Sequence, residues 1–557
     1  MFKKTKIAAV TAAVLGVSAM AIAPSATADV TLSETGAGGQ VLIFPYYNVN
    51  NGFSTSFNII NTKNEYKAIK VRFRESNTSN DVLDFNVYMS PYDVFTMGLT
   101  KTATGGVLMQ TTDNTCTFPE IPAGGKAFIG ADVYDSVKAA DVREGYLEVI
   151  EMGVVEEAGI QAGLLHDASG MPDNCDVVQD AWTDKDFIQG GATGDAITVV
   201  DQNNAYDNGV SAANFYGYAL GDDPTDFTLN GGVATSLYNL AGTVEVLSAP
   251  TGGLAGSSVL VDTVNIAGFV AEPISIDGYS DSAQHYIPSD QSFYLLPSLA
   301  SGTGATVTSL DSAGTALATN TWVDVARDFG LDDVNLAPNT SVPSGVNPMP
   351  LANALLVTSL ANQYLVAGET STDWVVAAPM RKHGIYNDFQ YTADANYDAD
   401  NGDLQSDGGT NPYWKHLDTS DIAAPFTYYD REEQVANVEP GDFSPPIQGV
   451  TADVPFEREV NILALTSGGA NPSVLGSDNA QTVTMDSGFV TGWGSLDFNQ
   501  AALDLTDARY DTDWVANPIA GSMGTVGAPL AGFSASRGTV NGQNLGETFP
   551  MIVERIR

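Results

Sequence analysis

Cysteine, histidine and basic residues are scarce in this chain of 557 residues, and each scarcity closes a class of chemistry. With only two cysteines, Cys116 and Cys175, CxxC redox motifs and cysteine-rich zinc sites are ruled out. Four histidines, His166, His285, His383 and His416, are scattered, without HExxH or an i, i+4 pair. Lys and Arg number 23 against 67 Asp and Glu. A phosphate backbone needs a basic footprint, so nucleic acid is not expected as a partner, and an anionic membrane surface is disfavoured for the same reason. The glycine patterns of P-loops and dinucleotide sites and the G-x-S-x-G elbow are absent. No apolar run near 18 residues follows the first 28, so no transmembrane helix is expected. Repeated ten-residue alternating segments are missing too, which argues against an outer-membrane barrel.

Residues 1–28 read as a secretory signal: Lys3, Lys4 and Lys6, then an uncharged stretch from Ile7 to Ile22, then Ala26-Thr27-Ala28. Its removal takes three of the 23 basic residues, so the mature chain is more acidic still. Export implies an oxidising compartment, where an isolated cysteine pair is most simply one disulfide. Bridging Cys116 to Cys175 closes about 60 residues and contributes about 3–4 kcal/mol in the chain-entropy model. The acids are 48 Asp and 19 Glu, a ratio that favours loops and hard-cation ligands over helices.

The grain of the chain is β. Phe53, Thr55, Phe57 and Ile59 alternate with Ser54, Ser56 and Asn58; Ile69, Val71 and Phe73 alternate with Lys70, Arg72 and Arg74. Leu83, Phe85, Val87 and Met89 continue the period of two. Such spacing predicts antiparallel, Ig-like β-sandwich domains with one buried face per strand, long Asp/Gly-rich loops and few short helices. Leu351, Leu355, Leu356 and Leu360 fall at helical spacing, which predicts a short helix over Leu351 to Ala361. The expected division is a sandwich over 29–160, an irregular insertion over 161–235 tied back by the disulfide, and a second β-rich domain over 236–387. An acidic excursion over 388–450 follows, and 451–557 completes the second domain.

Phe44-Pro45-Tyr46-Tyr47-Asn48, Lys70-Val71-Arg72-Phe73-Arg74-Glu75-Ser76, Leu83 to Val94, Pro172-Asp173-Asn174-Cys175, Thr372-Asp373-Trp374-Val375-Val376 and Tyr429-Asp430-Arg431-Glu432-Glu433 stand out along the chain. Together they resemble a largely uncharacterised family of secreted or cell-surface proteins of Gram-negative bacteria. The resemblance implies a location and an architecture. It supplies no catalytic residues.

Three groups of residues are candidates for contact chemistry. Lys63, Lys67, Lys70, Arg72 and Arg74 form a basic stripe, read either as a docking face for an anionic partner or as a solvated edge. Asp394, Asn396, Asp398, Asp400, Asp403 and Asp407 place alternating oxygen donors in one loop, a pattern that can converge on Ca²⁺ although its spacing is not that of an EF-hand. Tyr46, Tyr47, Tyr88, Tyr92, Trp374, Trp414 and Trp493 are candidates for a sugar-stacking face, with Trp374 and Trp493 read as core and Trp414 as the exposed one. Together these lead to the expectation of a non-catalytic adhesive or structural protein, extracellular or on the cell surface, with the periplasm as alternative. Its partners would be an extracellular polymer or other copies of itself. A carbohydrate-binding module, a glycan hydrolase and a solute-binding protein are the rival readings.

Overall fold

The structure is a computed structural model. It describes residues 30–33, 38–77, 81–129, 140–178, 247–280, 354–368, 370–380, 423–431, 454–467, 473–498, 528–541 and 543–554, apart from isolated positions within these ranges, together with short segments between them. The expected signal over 1–28, the acidic stretch from Asp394 to Asp407 and most of the 161–235 insertion lie outside the described residues. No helix among the described residues is long and apolar enough to cross a membrane.

The chain is mainly β, with multiple antiparallel sheets and few helices, as its period-two alternation requires. In chain order the strands that matter here are β1 (Val41–Asn48), β2 (Phe53–Asn61), β3 (Lys67–Glu75), β4 (Asp81–Met89), β5 (Val94–Lys101), β6 (Glu144–Val155), β7 (Leu254–Asp262) and β8 (Ala267–Ala271). The later ones are β9 (Ser359–Leu365), β10 (Ser371–Ala377), β11 (Phe426–Asp430), β12 (Val460–Thr466), β13 (Thr491–Asp497), β14 (Ala531–Val540), β15 (Gln543–Pro550) and β16 (Ile552–Glu554).

Four layers stack face to face. The first runs β8-β7-β2-β5 and continues through Val107–Gln110 to Lys126–Ala127. The second has β1, β6, β3 and β4 at its centre, with Ile274–Asp277 and Cys116–Phe118 outside them. A third, β12-β10-β14-β15, carries Gln481–Thr484 on its edge as a parallel neighbour of β12. The fourth runs β11-β13-β9-β16. Phe57, Ile59 and Leu99 of the first layer pack on Phe44, Val71, Phe73 and Leu147 of the second. Val41, Ile43 and Ile150, on the opposite side of that second layer, meet Val375, Ile462 and Phe533 of the third. Trp374, Val376 and Leu463 then turn away from this seam onto Leu360, Phe426 and Leu496 of the fourth. These contacts make two β-sandwiches set back to back. The likeness to an immunoglobulin domain is not carried by the strand orders.

Three expectations need correction. One buried face per strand does not hold for β1, β3 and β6, which are buried on both faces because their sheet is an inner layer. The helix over Leu351 to Ala361 gives way at Leu356 to a short strand and then to β9, where Leu360, Asn362 and Tyr364 turn inward by strand alternation. Four leucines fit either period, and pairing with β13 decides the matter. Third, β7 and β8 fall within 236–387 but hydrogen-bond into the sheet of β2, so the first sandwich draws on strands far beyond residue 160.

The disulfide is present: Cys116 and Cys175 are bonded across a separation of 59 residues. It joins the edge of the second layer to the turn after the short helix Ala158–Leu164, whose start is capped by the Glu157 carboxylate accepting from the Ile160 amide at 2.6 Å.

Candidate functional site

The basic stripe is inside the molecule. Lys67, Lys70, Arg72 and Arg74 have no exposed surface, and Lys63 is half-buried. Strand register explains this. Lys70, Arg72 and Arg74 share one face of β3 and stand opposite Ile150, Glu148 and Tyr146 of β6, while β4 supplies Asp84 and Asp81 on the other flank. Lys70 pairs with Asp84; Arg72 reaches Asp81 at 2.9 Å, and Arg74 reaches Glu148 at 3.2 Å. Arg72 also donates to the Pro297 carbonyl at 2.9 Å, and Arg74 to the Ser79 carbonyl at 3.1 Å. At the far end of β3, Lys67 meets Glu151 at 2.5 Å and Thr251 at 2.8 Å. Burial lifts the Asp81 carboxyl to about 7, aided by Asp84 and opposed by the two guanidinium groups. Residues paired in this way offer no docking face. Along the sequence the cations and their anions lie on separate segments; only the register brings them together.

A second polar constellation rivets the sandwiches to each other. The buried Glu144 carboxylate accepts from Tyr46 Oη at 3.0 Å, Asn50 Nδ2 at 2.8 Å, Ser477 Oγ at 2.6 Å and the Asp478 amide at 2.8 Å. Asn48 Nδ2 donates to the Leu475 carbonyl at 2.6 Å, and Asn51 Nδ2 to the Gly476 carbonyl at 2.8 Å. Gly476 sits at φ +67, with the Phe53 ring where a Cβ would stand, so this loop fits only as glycine. From β14, Arg537 reaches Asp262 of β7 at 2.5 Å and lies over the Phe53 and Phe269 rings at 6.0 and 5.6 Å. Arg458 pairs with Asp141 at 2.8 Å. Asp373, fully buried, accepts from the Leu475 amide at 3.0 Å and from Ser473, and burial raises its carboxyl to about 6. The pairing of these carboxylates with fixed donors suits rigidity.

On the outside, two sequence readings are reversed or narrowed. Trp374 is fully buried, as expected, but Trp493 is 46% exposed. It projects from β13 to the solvent side of the fourth layer, where it stacks on Tyr429 of β11 with ring centroids 4.4 Å apart and planes 16° from parallel. Gln363 of β9 flanks it on the other side and is exposed. The signal was available: Leu496 and Phe498 face the core, and counting back by two puts Gly494 and Gly492 inward and Trp493 outward. Tyr46, Tyr47 and Tyr88 are buried, while Tyr92 is exposed at a turn. Trp414 lies outside the described residues.

Among the described residues no group of three or more His, Cys, Asp or Glu side chains is arranged to hold a metal ion. The calcium-type residues Asp394, Asn396, Asp398, Asp400, Asp403 and Asp407 are not among those described. Comparison with protein-family models, curated proteins and solved structures finds no match to this chain. No activity is therefore carried over from a relative.

Proposed function

We propose that this is an exported, non-catalytic adhesive or structural protein of a bacterial cell surface or extracellular matrix. The observation that carries the reading is a set of charged side chains buried at the centre of the fold: Lys67, Lys70, Arg72, Arg74, Glu144, Glu148, Glu151 and Asp373. Groups held this way stiffen a scaffold rather than turn over a substrate, which needs a reachable acid, base or nucleophile. The signal-like start and the disulfide support an extracytoplasmic setting. Contact then falls to the outer sheet faces, with an extracellular polymer or another copy of the chain as partner.

The test is co-sedimentation of the mature protein with isolated extracellular matrix, with reducing ends assayed in the same tubes. Retention without released sugar is expected. Release of reducing sugar would replace this reading by a glycan hydrolase. Calcium bound by the stretch from Asp394 to Asp407 is part of the proposal. Light scattering in calcium and then EDTA checks it: assemblies that dissociate in EDTA are expected, and an unchanged mass removes calcium from the account.

A further inference from the structure

We infer that the solvent side of the fourth layer is a carbohydrate-binding face for a neutral polysaccharide, with Trp493, backed on one face by Tyr429, as its stacking ring. The inference rests on the adhesive reading above and names the partner and the surface.

The face is organised in rows across the strands. Tyr429, Trp493 and Gln363 are register neighbours and form one row. Two residues along lie Thr427, Ser495, Ala361 and Ile552, the last of them 69% exposed. The row after that holds Asp497, Ser359 and Glu554. From the aromatic row to the carboxylate row is four residues, about 13 Å at 3.3 Å per residue. An extended chain of sugars laid along the strands meets first an aromatic surface, then hydroxyls, then carboxylates.

That order matches the chemistry of a pyranose. Its axial C–H bonds make an apolar face that packs on an aromatic ring, while its equatorial hydroxyls need donors and acceptors at the rim. Trp493 supplies the ring, and Tyr429, stacked against it, fixes the ring before any ligand arrives. Aromatic side chains lose little conformational entropy in such a role, having only two side-chain torsions. The exposed Gln363 amide offers both a donor and an acceptor beside the platform.

Charge selects among the ligands that like aromatic surfaces. On these rows the charged side chains, Asp497 and Glu554, are both carboxylates; Arg431, exposed just past the end of β11, is a single cation beyond them, and the whole chain carries −44. An anionic polysaccharide is repelled, and single-stranded nucleic acid needs a cationic track beside its stacking rings. A neutral glycan meets no such penalty, and carboxylates accept hydrogen bonds from its hydroxyls.

The experiment titrates the mature full-length protein with a soluble β-glucan, a mannan and dextran, and with alginate as the anionic control, read by tryptophan fluorescence and calorimetry. Saturable binding of at least one neutral probe is expected, weakened about tenfold or more in Trp493→Ala and less in Gln363→Ala. Val264→Ala, which alters an exposed apolar side chain in the turn between β7 and β8, should bind as the wild type does. Neutral binding untouched by Trp493→Ala, or binding of alginate alone, overturns the inference. So does retention on matrix with no affinity for any neutral probe, an outcome that leaves the adhesive reading standing. Failure to adhere to matrix at all removes that reading itself.

Discussion

Arg74 shows how far one residue's meaning depends on its neighbours. In the sequence it is the end of a cationic stripe; in the fold its guanidinium lies between the Glu148 carboxylate and the Ser79 carbonyl, out of contact with water. Buried pairs of this kind add little net stability over an apolar filling, but removing one partner leaves the other charge short of a counterion; without Arg74, Glu148 keeps only Arg72, at 3.7 Å. Arg74→Ala is therefore expected to cost about 3–5 kcal/mol in urea unfolding. A loss below about 1 kcal/mol would mean that Glu148 is reached by water and that the stripe is not internal. What was legible at this scale was residue type. Partnership was hidden, because Glu148 is 74 positions from Arg74 and only register joins them.

At the scale of elements the strands were the readable part. The alternation over 53–59, 69–73 and 83–89 placed β2, β3 and β4 directly: in β2 it marks a half-buried strand, and in β3 it separates an apolar face from a buried, ion-paired one. The seam between sandwiches was unreadable: Glu144, Asp373 and Arg537 look like surface charges until the loop 473–480 is docked against β1 and β6. Trp493 goes the other way: its strand context suggests burial, but alternation from the buried Leu496 puts it on the solvent face. The seam gives an expectation of its own. Arg537 and Glu144 tie the two cores together, so wild-type protein should unfold in one calorimetric transition. The double variant Glu144→Ala/Arg537→Ala should split it into two. Two transitions already present in the wild type would show that the sandwiches fold independently.

For the whole molecule, acidity has two consequences. Inside, burial holds the carboxyls of Asp81 and Asp373 at about 7 and about 6 and raises those of Glu144 and Glu151. The folded state thus binds more protons than the unfolded chain between pH about 4 and about 7, so stability from these groups is greatest near the low end and declines as pH rises. Asp262 and Glu65, whose carboxyls are lowered, work the other way and lose their contribution only below the ordinary carboxylate range. Melting temperature should accordingly fall from about pH 5 to about pH 8, and a rise over that interval would contradict the burial of these acids. Outside, the net charge of −44 opposes anionic partners, while Lys67, Lys70, Arg72 and Arg74 are held inside the fold. The most direct test is the salt dependence of retention on isolated extracellular matrix. Binding through an aromatic and hydroxyl-bearing face should be nearly unchanged between low and high ionic strength, whereas retention that collapses in high salt would show that the contact is ionic after all.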